Sequence, residues 1–246
     1  MNNFEVIRFR NPEALARGAA EKWLSEIGSN CSTAAPYCVA LLGGRIARTF
    51  FSAMAAIPRP ETTLSHVHFF WSDERCVPPD DPESNYRLAL DCLFARSEIA
   101  PTQIHRVRGE IPPADAAIQA EDELRRIAGS NAAGQPILDM IFLGMGEDGH
   151  VASLFPEELP EAADNPAVFR PVISRRKPPP PRITMGYPAI AAARQAWVLV
   201  SGPGKEDAFG KALSLDPHVP LGRVLASRDK TLLFTDFDTG QWTTAP

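Results

Sequence analysis

Tyr37-Cys38-Val39-Ala40-Leu41-Leu42, followed at once by Gly43-Gly44 and then by Ile46 to Ile57, is the stretch whose reading decides how this chain folds. The first six residues are a short apolar run of strand length, bounded by a glycine pair. From Ile46 onward the apolar positions shift to helical spacing through Phe50, Phe51 and Met54. Strand, tight loop and helix in that order form the unit from which parallel α/β sheets are assembled.

The same unit recurs on both sides. Val67 to Trp71 reads as a strand, a polar proline-rich loop follows, and Asn85 to Phe94 reads as a helix. A helix over Ala114 to Ala128 leads into a strand over Ile137 to Leu143. Further on come a helix near Pro188 to Ala193, a strand over Ala196 to Ser201, a helix from Lys205 to Leu213 and a last strand over Thr231 to Thr235. Upstream, Leu15, Ala19, Trp23, Leu24 and Ile27 fall at helical spacing, so a helix over Pro12 to Ile27 is expected to open the domain, with Gly28 as its stop. The four prolines of Ser174 to Pro181, SRRKPPPP, force a stiff extended connection.

Apolar runs of five to seven residues flanked by helices predict an α/β fold, Rossmann-like, with a mostly parallel sheet covered by helices on both faces. The whole chain, 1–246, is read as a single domain. Ligands of such sheets bind beyond the carboxyl ends of the strands, which directs attention to the loops after Leu42, Trp71, Leu143 and Ser201.

Composition narrows the function classes. The 246 residues carry 25 basic and 30 acidic side chains, a formal charge of -5, so no overall positive field attracts nucleic acid or an anionic membrane. The expected partner is a small molecule bound at a local site. Cys31, Cys38, Cys76 and Cys92 show neither a CxxC pairing nor histidines at zinc-ligand spacing, so reduced, mostly buried thiols and no metal are expected. The N-terminus, MNNFEVIRFRNPEALARG, has no continuous apolar stretch, which predicts a cytoplasmic location.

Each of the four loops admits two readings on local grounds. Gly43-Gly44-Arg45 lets backbone N–H groups approach an anion at a helix N-terminus, or is simple turn chemistry. Asp73-Glu74-Arg75 places carboxylates and a guanidinium at a strand end as orienting group and anion binder. Alternatively, Asp73 and Arg75 pair with each other in a surface turn and Ser84 caps a helix. In Leu143 to Pro156, LGMGEDGHVASLFP, three glycines bend the chain and present His150, whose imidazole can accept a proton from water and return it to a leaving alkoxide. Arg182 and Lys205, the latter in Gly202-Pro203-Gly204-Lys205, close on a phosphate dianion or are solvated surface charges.

Taken in order, LLGG at Leu41 to Gly44, FFWSDERCVPPDDPESNYRL at Phe69 to Leu88, DMIFLGMGEDGHVASLFP at Asp139 to Pro156, KPPPPRIT and GPGK resemble the 6-phosphogluconolactonase family, which shares its fold with glucosamine-6-phosphate deaminase. The resemblance implies cofactor-free and metal-independent hydrolysis of 6-phospho-D-glucono-1,5-lactone in the oxidative branch of the pentose phosphate pathway. It implies His150 as general base with Asp73 and Arg75 beside it. A phosphate grip built from Gly43, Gly44, Arg75, Arg182 and Lys205 completes the implied site, in a monomer or small homo-oligomer; Arg45 either joins this grip through a bidentate guanidinium contact or points to solvent. One departure stands out: the family usually continues its glycine pair with Ser-Thr-Pro, where this chain has Arg45-Ile46-Ala47. The rival readings are a glucosamine-6-phosphate deaminase or isomerase and a non-catalytic sugar-phosphate binder. Deaminases typically carry Asp-Glu-Tyr in place of Asp73-Glu74-Arg75 and a glutamate at the position of Phe155.

Overall fold

A computed structural model of the chain describes residues 3–29, 35–158, 164–175 and 177–238. Six strands form a sheet in the order β1-β9-β8-β5-β2-β3, every pairing parallel. They are β1 (Phe4–Arg8), β2 (Tyr37–Leu41), β3 (Val67–Trp71), β5 (Met140–Gly144), β8 (Gln195–Val200) and β9 (Thr231–Thr235). The central strands are buried along almost their whole length, the pattern of a sheet covered on both faces. Helices α1 (Pro12–Ser29), α2 (Arg45–Ala56), α3 (Asn85–Cys92), α4 (Pro113–Ile127), α5 (Tyr187–Ala192), α6 (Glu206–Leu213) and α7 (Pro220–Ala226) surround it.

A chain of aromatic rings occupies the middle of the core. Phe142 of β5 meets Trp23 of α1 edge-on at 5.3 Å, Phe50 of α2 at 4.8 Å and Trp197 of β8 at 5.8 Å between centroids. Neighbouring strands in register present these rings to the same face, where α1 and α2 pack against each other. The amphipathic pattern of α2 puts Ile46, Ala47, Phe50, Phe51 and Met54 into this core.

Four differences from the sequence reading have physical causes. A strand, β1, precedes the first helix. It lies at the sheet edge with one side open to solvent, so its hydrophobic signal is broken by Glu5 and Arg8. Helix α1 runs through Gly28 to Ser29. A second, antiparallel sheet of order β4-β7-β6 is built from β4 (Asp73–Arg75), β6 (Phe169–Ile173) and β7 (Pro181–Met185). The proline run lies in the connection between β6 and β7, its last member Pro181 opening β7. Helix α7, begun by Pro220 in its first turn, was likewise not read from the sequence.

Cys38 and Cys92 are buried and Cys76 is half-buried, all three as free thiols, while Cys31 lies outside the described residues. No helix among the described residues is long and apolar enough to cross a membrane. Phe142 is fully buried among three aromatic partners. Phe142→Ala is therefore expected to lower unfolding free energy by about 3–5 kcal/mol, read from urea denaturation. A loss below about 1 kcal/mol would place the core elsewhere.

Candidate active site

At the carboxyl edge of the parallel sheet, the loops after β2, β3, β5 and β8 converge on one cavity of about 210 Å³. Gly43, Gly44 and Arg45 come from the first loop, Asp73 and Arg75 from the second, Gly146, Glu147 and His150 from the third and Lys205 from the fourth. Lys177 and Arg182 reach it from the small sheet. His150, Asp73, Arg75, Gly43, Gly44, Arg45, Arg182 and Lys205 therefore all line this cavity. Five cationic side chains (Arg45, Arg75, Lys177, Arg182 and Lys205) face two carboxylates there (Asp73 and Glu147), so a chain of net negative charge has a locally positive cleft.

His150 sits at the end of a turn closed by backbone bonds, with Gly146 N donating to His150 O at 2.9 Å and Gly149 N to Gly146 O at 3.0 Å. The glycines are required for two distinct reasons. A Cβ on Gly146 would fall 2.0 Å from the His150 ring, and Gly149 adopts φ +79 with Val219 packed beneath it. Two residues past the histidine, Ala152 takes φ 48, an uncommon conformation for a residue with a side chain. The small sheet holds it there. Ser153 N donates to Thr184 Oγ1 at 3.1 Å, and Ser153 Oγ donates to Asp73 Oδ2 at 2.6 Å, both buried.

The partner of the histidine is Asp148, whose Oδ1 lies 2.5 Å from His150 Nδ1. Burial works to raise the Asp148 carboxyl. The hydrogen bond from His150, with the charges of His150 and Lys177, outweighs it and holds the group well below the usual carboxylate range. With Nδ1 donating to this carboxylate, Nε2 carries the lone pair that can take a proton. Asp148 was absent from the candidate residues drawn from the sequence. The available signal was its position two residues before His150, where a short turn brings the two side chains together.

Asp73 lies elsewhere in the cavity wall, 4% exposed, bonded by Ser153 and by Asn85 Nδ2. It braces the loop that carries His150. Glu74 does not line the cavity at all. Its carboxylate accepts from the N–H groups of Arg75, Asn85 and Tyr86 at 2.7, 2.7 and 2.8 Å and from Ser84 Oγ at 3.1 Å, joining β4 to the start of α3. Burial pushes it up to about 7 against the pull of those backbone donors. Ser84 also caps α3, accepting from Arg87 N. An Asp73–Arg75 pair does not form; Arg75 donates to the Glu83 carbonyl at 2.6 Å and pairs with its carboxylate at 3.4 Å.

The cations differ in how they are held. Lys205 is 7% exposed, with no carboxylate within ion-pair distance among the described residues. Burial, aided by the nearby Arg45 charge and only partly offset by Asp236 and Glu147, brings it down to about 8. Arg45 stands at the rim, 80% exposed and bonded to Glu147 at 3.1 Å. Arg182, buried, donates to the carbonyls of Pro179, Lys177 and Pro178. Phe155 packs its ring 5.2 Å from that of His150 and 5.9 Å from the Arg182 guanidinium. Among the described residues, no group of three or more His, Cys, Asp or Glu side chains is arranged to hold a metal ion.

This fold and this cleft are shared with known proteins. The family described as glucosamine-6-phosphate isomerases/6-phosphogluconolactonase matches residues 10–233. A Mycobacterium tuberculosis protein named 6-phosphogluconolactonase is 33% identical over 240 residues, covering 94% of each chain. A Treponema pallidum protein of the same name is 36% identical over 208 residues, 84% of this chain and 85% of the other. The crystal structure of 6-phosphogluconolactonase from Thermotoga maritima superposes with a TM-score of 0.79 at 26% identity, over 94% of this chain and 98% of that one. On the strength of the match over nearly its whole length, this chain belongs to the glucosamine-6-phosphate isomerase/6-phosphogluconolactonase family.

Proposed function

We propose that this protein hydrolyses 6-phospho-D-glucono-1,5-lactone to 6-phospho-D-gluconate, the ring-opening step of the oxidative branch of the pentose phosphate pathway. The observation that carries the reading is the Asp148–His150 pair, 2.5 Å apart, set in a cleft lined by five cations. Its relatives' names give the substrate class, and the cleft has the charge that a phosphorylated lactone requires. Both sheets contribute to one cavity, which supports treating 1–246 as one domain in this reading.

The steps use groups present in the chain. Nε2 of His150 takes a proton from water while Asp148 holds Nδ1–H and balances the imidazolium that forms. The hydroxide adds to the lactone carbonyl carbon, giving a tetrahedral oxyanion stabilised by cavity cations and loop N–H groups. Collapse breaks the bond from that carbon to the ring oxygen, and the imidazolium returns its proton to the departing oxygen. The phosphate is held by the Gly43–Gly44 backbone at the start of α2, by Lys205 and by Arg45 and Arg75, with Arg182 shaping the wall. Arg45 takes the place of the hydroxyl donors usual after this glycine pair. Phe155 argues against amino-sugar deamination, because an apolar ring beside His150 cannot relay a proton as a carboxylate there would.

With lactone generated in situ and spontaneous hydrolysis subtracted, the wild type is expected to accelerate ring opening, and His150→Ala to lower kcat roughly 100- to 10,000-fold with the fold intact. A wild type that binds the ligand without acceleration would reduce the protein to a sugar-phosphate binder. A second expectation concerns Lys205. A lysine brought down to about 8 is charged below that pH and neutral above it, so its attraction for phosphate weakens as pH rises through this value. KM is therefore expected to climb above about pH 8 in the wild type, and a Lys205→Met variant to show a high KM without that rise. A flat wild-type KM across this range would remove Lys205 from the phosphate grip.

A further inference from the structure

The loop from Ser174 to Pro180 brings one more cation to the His150 pair. Lys177 Nζ lies 3.5 Å from Asp148 Oδ1 and 3.2 Å from His150 Nδ1, reaching across from the small sheet. Its position is engineered by the surrounding backbone. Pro178 to Pro181 supply no N–H donors, so the carbonyls of this run cannot be satisfied by a local turn and need a donor from outside. Arg182 provides it, donating through Nε to Pro179 O at 3.1 Å and through Nη2 to Pro178 O at 3.2 Å and Lys177 O at 3.3 Å. At the other end, Lys177 N donates to Ser174 Oγ at 3.0 Å and Ser174 N to Pro180 O at 2.8 Å, with Ser174 buried. The loop is therefore clasped from both sides, and the Lys177 side chain is delivered to Asp148.

We propose that Lys177 is a positioning residue for catalysis: it anchors the Asp148 carboxylate by a second contact, so that His150 is held in the tautomer and tilt that expose Nε2 for proton transfer. Arg182 acts through it, as the clamp on the loop that carries it. This inference rests on His150 being the base of the lactonase reading. It separates Lys177 from Lys205, Arg45 and Arg75, which the same reading assigns to the phosphate. The charges that meet around the pair are Asp148 from the same turn, Lys177 from the β6–β7 loop, and Glu147, Arg45 and Lys205 from the cavity wall.

Lys177 is partly exposed, at 36% of its side chain, so Lys177→Met, which keeps the side-chain length, leaves the fold testable by thermal melting. Removing a group that orients a catalytic ligand from behind is expected to lower kcat roughly 10- to 100-fold. KM and the constant for competitive inhibition by inorganic phosphate should stay within about twofold of wild type, since no phosphate contact is lost. Lys177→Arg should recover part of kcat by restoring the charge at Asp148. A raised phosphate inhibition constant, or an unchanged kcat, overturns the proposal and returns Lys177 to the phosphate grip or to the surface. Failure of the lactonase reading looks different, since the wild type and His150→Ala measured in parallel would then open the lactone at the same spontaneous rate.

Discussion

The joint between the two sheets is the buried hydrogen bond from Ser153 Oγ to Asp73 Oδ2. The parallel sheet by itself ends in loops, and a loop that carries His150 in a turn containing Ala152 at φ 48 has little reason to stay in one place. Asp73, at the start of the three-stranded sheet, and Thr184, paired with it in register across β4 and β7, hold Ser153 from both side chain and backbone. Because the groups are buried, breaking either bond would leave polar atoms unsatisfied in a low-dielectric setting, which costs far more than the bond itself contributes. The strained turn is thus maintained by its surroundings.

From that joint the cleft acquires its division of labour. The parallel sheet contributes the glycine pair at the start of α2, the His150 turn and Lys205; the small sheet contributes Arg75, Lys177 and Arg182. Two of these cations are committed to the protein. Arg182 is occupied with carbonyls that prolines leave without donors, and Arg75 is partly occupied by Glu83. Lys205 is buried without a carboxylate partner among the described residues, a state that is costly unless an anion arrives. Burial of a cation without a carboxylate partner among the described residues gives the cleft of an otherwise acidic protein a local preference for anions.

Much of this was legible in the residues. The strand boundaries at Val67–Trp71 and Thr231–Thr235, the alternation of strands and helices, and the convergence of four strand-end loops follow from short-range rules: apolar run length, helical spacing and glycine punctuation. These rules work because a strand buried on both faces must be apolar throughout. They fail where burial is partial, at the edge strand β1 and in β6, whose Pro171, Val172 and Ile173 face out or half out.

Patterns within some ten to fifteen residues were enough for the fold class and for most of the side chains at the cleft, Asp148 and Lys177 excepted. The tertiary structure decided their roles. That Asp148 rather than Asp73 meets His150, that Glu74 turns away to bind backbone N–H groups, and that Arg182 serves a loop while Lys205 stays free of carboxylates among the described residues are matters of which side chain ends within about 3 Å of which. Such distances are set by contacts between residues as far apart as Asp73 and Ser153, and no local pattern encodes them.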